Sequence, residues 1–380
     1  MNGPALSVTR EQAIAYRAAA QGLHRDTSTV GRLAILDIGV QEAMGHPAAL
    51  AFAARVPLGV GVAPGAVPIG PGRRLALAWT LRGAPHVHRR KDLDAVAAAI
   101  YPLSEADAAG RLNETGPSVA KQGIAALDQF TTAVDAMRAV VTSPTAKGAA
   151  SGEVTRRIPK AMWRDCRSCG TSHISDSAMR VAVPAAGLEI EPSTSPPVLL
   201  PRPGAVLPGG PDADALRALA LSYLRLLGPA GPREFAGYLE ARRADVAQLW
   251  PDELSDVTVD GRPAQLPASA LTALRSAPAP DVVRLLSAFD PYLQARDRDL
   301  IVPDKAVQKA LWPVLGRPGA LFVDGEIAGA WRTKASGRAL TITVEAFGPL
   351  PPSAWAQVET EAQRVAEVRG SSDVRVVRKG

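Results

Sequence analysis

The chain has 380 residues, of which 47% are hydrophobic and 21% charged, with 33 glycines and 33 prolines. That is material for two or three globular units of roughly 100 to 200 residues each, and the balance of apolar to charged residues excludes wholesale disorder. A net charge of +6 favours a polyanion such as nucleic acid over an acidic protein partner, although the Ala, Val, Arg and Pro excess also has the look of a GC-rich genome's codon usage.

No run of about 18 uncharged apolar residues occurs, which argues against a membrane span. The opening MNGPALSVTREQ lacks a basic-then-apolar leader, so the expected location is the cytoplasm. Two cysteines, Cys166 and Cys169, are too few for a secreted disulfide scaffold.

In chain order, apolar residues at helical spacing predict a helix over 10–23, opened by a capping box of Thr9 and Gln12. A second helix is expected from 28 to 36 and a third over 47–55, begun by Pro47. Residues 74–88 read as two short strands broken at Gly83. Three helices followed by a hairpin is the order of a winged helix-turn-helix, whose third helix reads DNA.

A second, weaker copy is expected over 116–205. It would hold a long helix over 118–141 stopped by Pro144, a short basic helix from Ser151, and strands around 188–200. Residues 201–214 read as a linker. The third copy has a helix over 214–227, another begun by Pro232, one over 243–250, and strands at 256–259 and 263–266 joined by Asp260-Gly261, a tight-hairpin dipeptide. Beyond Arg284 the pattern turns to β, then a helix over 353–368 and a basic strand over 374–379. The expected fold is α+β: winged-helix units at 1–115, 116–205 and 206–280, then a small β-sheet or barrel domain at 281–380.

Four motifs carry a resemblance. They are WTLRGAPHVH at 79–88, YLRLLGPAGPREFAGYL at 223–239, LLSAFDPYLQARDRDLIVP at 285–303 and LFVDGEIAGAWR at 321–332. In that order and spacing the chain resembles the AlkZ-like (YcaQ-type) winged-helix DNA glycosylases. The resemblance implies three winged-helix units in a concave arrangement, a β domain whose hairpin touches the minor groove, and removal of alkylated or crosslinked purines. Its catalytic Gln-x-Gln motif, just before the third helix of the first unit, falls here on Gly39-Val40-Gln41.

A neutral amide suffices to hold a water beneath an oxocarbenium-like sugar when the alkylated base already leaves readily, so no metal or other cofactor is called for. Gly39, however, removes one of the two amides. The candidate catalytic residues are therefore Gln41, with Asp37 or Glu42 supplying a carboxylate as base; Asp37 lies four residues from Gln41 and shares its face if the segment is helical. The bland reading makes Gln41 a turn residue and Asp37 a helix-end side chain.

His86 and His88 fall on one face of a strand, and His86 matches the family's strand histidine. It is a candidate DNA contact; a buried histidine held by backbone groups is the alternative. Basic clusters at Arg89, Arg90 and Lys91, at Arg156 and Arg157, at Arg242 and Arg243, and at Arg332 and Lys334 are candidate phosphate contacts. Cys166-x-x-Cys169 with His173 has the look of half a zinc site, but no fourth ligand is visible and a reduced, partly buried thiol pair is the preferred reading. Asp290, in the Phe289-Asp290-Pro291-Tyr292 turn, is expected to cap backbone N–H groups.

The sequence thus points to a monomer on double-stranded DNA, acting as a monofunctional glycosylase. The alternative is a non-catalytic damage sensor or regulator, favoured by the degenerate motif. With 4% aromatic residues, no stacking cage for a flipped base can be placed.

Overall fold

The computed structural model describes residues 5–63, 65–112 and 119–379, and its elements are mixed α and β throughout. Contacts divide the chain into two units, each discontinuous in sequence. The first comprises Met1–Val67, Ser222–Gly231 and Asp252–Gly380; the second comprises Pro68–Leu221 and Pro232–Pro251. These units cut across the four expected segments. The expected boundary at 115/116 lies outside the described residues. No described helix is long and apolar enough to cross a membrane.

In the first unit the capping box forms as expected: the Thr9 side chain accepts from the Gln12 N–H while the Gln12 side chain accepts from Thr9, and the helix runs Arg10–Ala20. Its buried face, with Ala13 and Tyr16, packs on a three-stranded sheet through Val8, Val257, Val259 and Leu266. In that sheet Leu6–Val8 runs parallel to Leu254–Val259, which is antiparallel to Arg262–Pro267. Asp260 and Gly261 make the connecting turn at positive φ, 46° and 76°.

The helix expected over 28–36 is not one helix. Two short 3-10 turns, Val30–Arg32 and Ala34–Asp37, replace it because Leu33 between them is extended at ψ 127°. The third helix forms at Pro47–Ala53. Towards the C-terminus, five strands lie in the order Val283–Leu286, Gly319–Val323, Glu326–Ser336, Ala339–Ala346 and Asp373–Lys379. All neighbours are antiparallel except the last pair. This is an open sheet rather than a barrel, and its third strand continues to Ser336. The helix Pro352–Arg369 packs on the first strand of the sheet.

The second unit holds an antiparallel sheet whose own strands follow the order Pro85–Arg89, Leu75–Trp79, Leu188–Ile190, Val198–Pro201 and Thr145–Ala146. The long helix begins at Ala126 instead of 118, a position outside the described residues, and ends at Val140. It packs on Asp176–Ala185, with Phe130 meeting Tyr101 edge-on at 5.0 Å. A separate two-stranded hairpin pairs Trp163–Cys166 with Thr171–Ile174.

Buried arginines tie the first unit together. Arg55, fully buried, uses every N–H it has: Nε donates to Gln21 O (2.9 Å), Nη1 to Ala51 O (2.9 Å) and Asp290 Oδ2 (2.8 Å), Nη2 to Gln21 Oε1 (3.0 Å) and Asp290 Oδ1 (2.7 Å). Asp290 also accepts from the Tyr292 N–H at 2.9 Å, the capping expected of it. Arg17 pairs with Asp297 and donates to the carbonyls of Gly228 and Pro229. Arg25 pairs with Glu361 at 2.8 Å.

Removing one partner of a buried pair strands the other charge, at a cost of about 3–5 kcal/mol. Asp290→Asn and Arg55→Met are each expected to lower unfolding free energy by about that amount in urea titrations, with the double variant losing less than the sum. Additive losses would show that the pair is not coupled.

Candidate active site

The residues matching the catalytic motif occupy the first unit between the second 3-10 turn and the third helix. Asp37 is the last residue of that turn, and Gly39 follows at φ 76°, a left-handed conformation that disfavours any residue with a Cβ. Val40 and Gln41 then form a two-residue strand. Asp37 and Gln41 are therefore not on one helical face, because the chain has left the helix between them. Gly39 is also buried, so a glutamine there would have to adopt that left-handed conformation within the interior.

Two distant elements supply charge. Arg225, from the helix Ala213–Leu227, places Nη2 3.5 Å from Asp37 Oδ2, both side chains being partly exposed. Arg369, the last residue of the helix Pro352–Arg369, lies beside the loop after Gln41. Its guanidinium sits where a Cβ on Gly45 would be, and it interacts electrostatically with Glu42 and His46. Glu42 Oε1 accepts from the Ala43 N–H at 2.8 Å.

Burial pushes the Glu42 carboxyl up to about 7, opposed by the Ala43 N–H and by Arg369. Burial, reinforced by Arg369, moves His46 below its ordinary value, and burial likewise lowers Arg369. The result is a half-buried carboxyl that exchanges its proton near neutrality, one residue from Gln41. Sequence reading missed Arg225, Arg369 and His46; His46, directly before Pro47, was the only one with a local signal.

The expected DNA-contact residues separate into two groups. His86 is buried; its Nδ1 donates to Ala84 O at 2.9 Å, and burial holds its pKa well below the ordinary value. His88 is equally buried, pushed down to about 4, with Nε2 3.0 Å from Thr80 Oγ1. Both are core histidines, so His86 is corrected from a surface contact to a buried group. Arg90 pairs with Glu189 at 2.7 Å and donates to Gly70 O, which makes it a sheet tie. Arg89 is half-buried near Asp92.

Lys91, Arg156, Arg157, Arg242, Arg243, Arg332 and Lys334 are exposed. Of these, Arg156 pairs with Glu153, Arg242 with Asp245, and Arg332 donates to Gly316 O. The second unit also holds a cavity of about 330 Å³ lined by Thr80, Arg82, Arg111, Asp176 and Arg180 among others. None of the expected site residues lines it.

A mixed α+β chain with a polar motif ahead of a short helix can be placed by comparison. The profile described as DNA glycosylase AlkZ-like matches residues 30–368, and the chain belongs to that family. A solved structure of Streptomyces sahachiroi DNA glycosylase AlkZ has a similar fold, with a TM-score of 0.74 and 19% identity over 98% of this chain and 100% of that one. No curated protein matches the chain.

A carboxyl raised in the folded state favours the proton there, so its contribution to stability declines as pH rises from about 4.5 through about 7. Glu42→Gln is accordingly expected to melt higher than the unsubstituted protein at about pH 8 and alongside it below about pH 4.5. Thermal melts at the two pH values measure this, and an equal difference at both would show that Glu42 is not displaced.

Proposed function

We propose that the chain is a monofunctional DNA glycosylase that hydrolyses the N-glycosidic bond of alkylated or crosslinked purines in duplex DNA, with Gln41 and Glu42 at its centre. The observation that carries the reading is the Glu42 carboxyl, displaced to about 7 beside the one amide that the family motif retains. A general base works best when its pKa lies near the operating pH.

In this mechanism Gln41 orients a water against C1′ of the sugar. The C1′–N bond breaks as the alkylated purine departs with its electron pair, the C1′–O bond forms, and Glu42 takes the proton from the attacking water. Asp37, partnered by Arg225, stabilises the positive charge developing on the sugar. The products are a free base and an abasic site.

The scaffold proposed for DNA is three tandem winged-helix units, 1–115, 116–205 and 206–280, followed by a β domain at 281–380. Its support is the chain order of three helices, Ala213–Leu227, Pro232–Leu239 and Arg243–Gln248, followed by two strands at Leu254–Val259 and Arg262–Pro267. Exposed Arg156, Arg157, Arg243 and Lys334 are the proposed phosphate contacts; the protein acts as a cytoplasmic monomer. A second reading, DNA binding without chemistry, is favoured by Gly39, which stands where the family motif has its first glutamine.

Base release from duplex DNA carrying 7-methylguanine decides between the two. On the enzyme reading the rate rises with pH through about 7, and Glu42→Gln removes that limb and about a hundredfold of the rate. Duplex binding with no base released from alkylated or crosslinked DNA would leave the binding reading alone. For the DNA grip, neutralising Arg156 and Arg157 together is expected to weaken binding evenly across sequences. It should also flatten the slope of log affinity against log salt by about one unit for each phosphate that the protein no longer neutralises.

A further inference from the structure

The hairpin Trp163–Cys166/Thr171–Ile174 stands apart from every other sheet, and its residues are mostly exposed. Two isolated four-residue strands are at best marginally stable in water. Only one end is anchored: Ile174 is buried, and its N–H donates to Thr155 Oγ1 at 2.9 Å. Between the turn and the anchored end, three soft or borderline donors converge. The sulfurs of Cys166 and Cys169 and a ring nitrogen of His173 all lie within 4.8 Å of one another.

The local geometry suits coordination. The Gly170 N–H donates to Cys166 O at 2.9 Å, with Gly170 at φ 64°, so the chain reverses directly after the second cysteine and brings it back beside the first. His173 Nδ1 donates to Ile174 O at 2.6 Å, and the His173 side chain also hydrogen-bonds the Cys166 sulfur, the contact that a shared ion would replace. Hydrogen bonds from Ser168 and from the Cys169 N–H also reach the Cys166 sulfur.

The geometry points to a zinc site formed by Cys166, Cys169 and His173, which staples the turn of this hairpin to its anchored second strand. A tetrahedral ion with Zn–S of about 2.3 Å and Zn–N of about 2.0 Å sets such donors about 3.5 to 3.8 Å apart, within the 4.8 Å that bounds their separations here. Two thiolates and a neutral imidazole balance the dication. Among the described residues no fourth protein donor joins the cluster, so the fourth position takes a solvent oxygen. Exposed Arg164 and Arg167 flank the site, and the ion thereby fixes the shape of a basic hairpin.

The test uses the full-length protein, reduced and stripped with a chelator, then titrated with Co²⁺ and back-titrated with Zn²⁺. One equivalent of Co²⁺ is expected to give the sulfur-to-cobalt charge-transfer band and the intense visible bands of a tetrahedral ion, and Zn²⁺ is expected to abolish them. Cys166→Ser/Cys169→Ser should remove the bands without altering the far-ultraviolet circular dichroism, since both side chains lie at the surface end of the hairpin. His173→Ala should weaken Zn²⁺ binding by about tenfold or more. Reduced protein that gives no such bands, or a double cysteine variant that keeps them, would overturn the assignment. Neither result bears on glycosylase activity.

Discussion

The ion pair between Arg55 and Asp290 is the constraint on which the first unit depends. Both side chains are wholly excluded from water, a placement tolerable only because every guanidinium N–H finds an acceptor. Those acceptors come from Gln21 after the first helix, Ala51 within the third and Asp290 at the edge of the C-terminal sheet. The third helix is thereby locked at its C-terminal end. Arg25 adds a bond to Ala53 O while paired with Glu361, and Arg284 donates to Ala54 O. The segment from Asp37 to His46 enters this fixed helix, so its position is inherited from charges buried one or two turns further on.

That network also changes how the basic composition is understood. A net charge of +6 suggests a polyanion, yet Arg17, Arg55 and Arg364 are buried and hydrogen-bonded to protein carbonyls or carboxylates. Arginine suits this work because its planar fork meets a carboxylate with two parallel bonds and its charge is hard to remove. Several basic side chains are thus engaged within the protein, Arg90 with Glu189 among them, whereas Lys91, Arg156, Arg157, Arg243 and Lys334 are exposed and His86 is buried.

Much of the fold was legible because its punctuation is chemical. Thr9 and Gln12, Pro47, Pro232 and Asp260-Gly261 each mark an element end by a specific hydrogen bond or dihedral, and each element begins or turns there. Helices such as Glu105–Leu112 and Asp176–Ala185 escaped because small or polar residues make up much of their buried faces, Asp107 and Ala108 in the first and Ala178, Ala182 and Ala185 in the second, which gives a weak apolar signal. The helix expected at 28–36 failed at Leu33, where tertiary packing of Ile35, Leu36 and Ile38 overrode local propensity. At the site, Gln41 and Glu42 were visible as a motif. Arg225 and Arg369 were not, since they approach from 188 and more than 300 residues away and carry no pattern of their own.

The first unit is assembled from three pieces of chain, the last of which holds the helix Pro352–Arg369. Arg364 in that helix donates to the carbonyls of Pro57 and Val60, and Arg369 supplies the cation facing Glu42. During synthesis, the motif-bearing segment emerges early and waits for partners made hundreds of residues later, a topology that favours slow, late consolidation. A nascent or truncated chain lacking this helix has the glutamine and both carboxylates but not the electrostatic setting around them. The setting of Glu42 is therefore coupled to the presence of that helix, and a chain without it keeps Gln41 and Glu42 but loses the cation beside them.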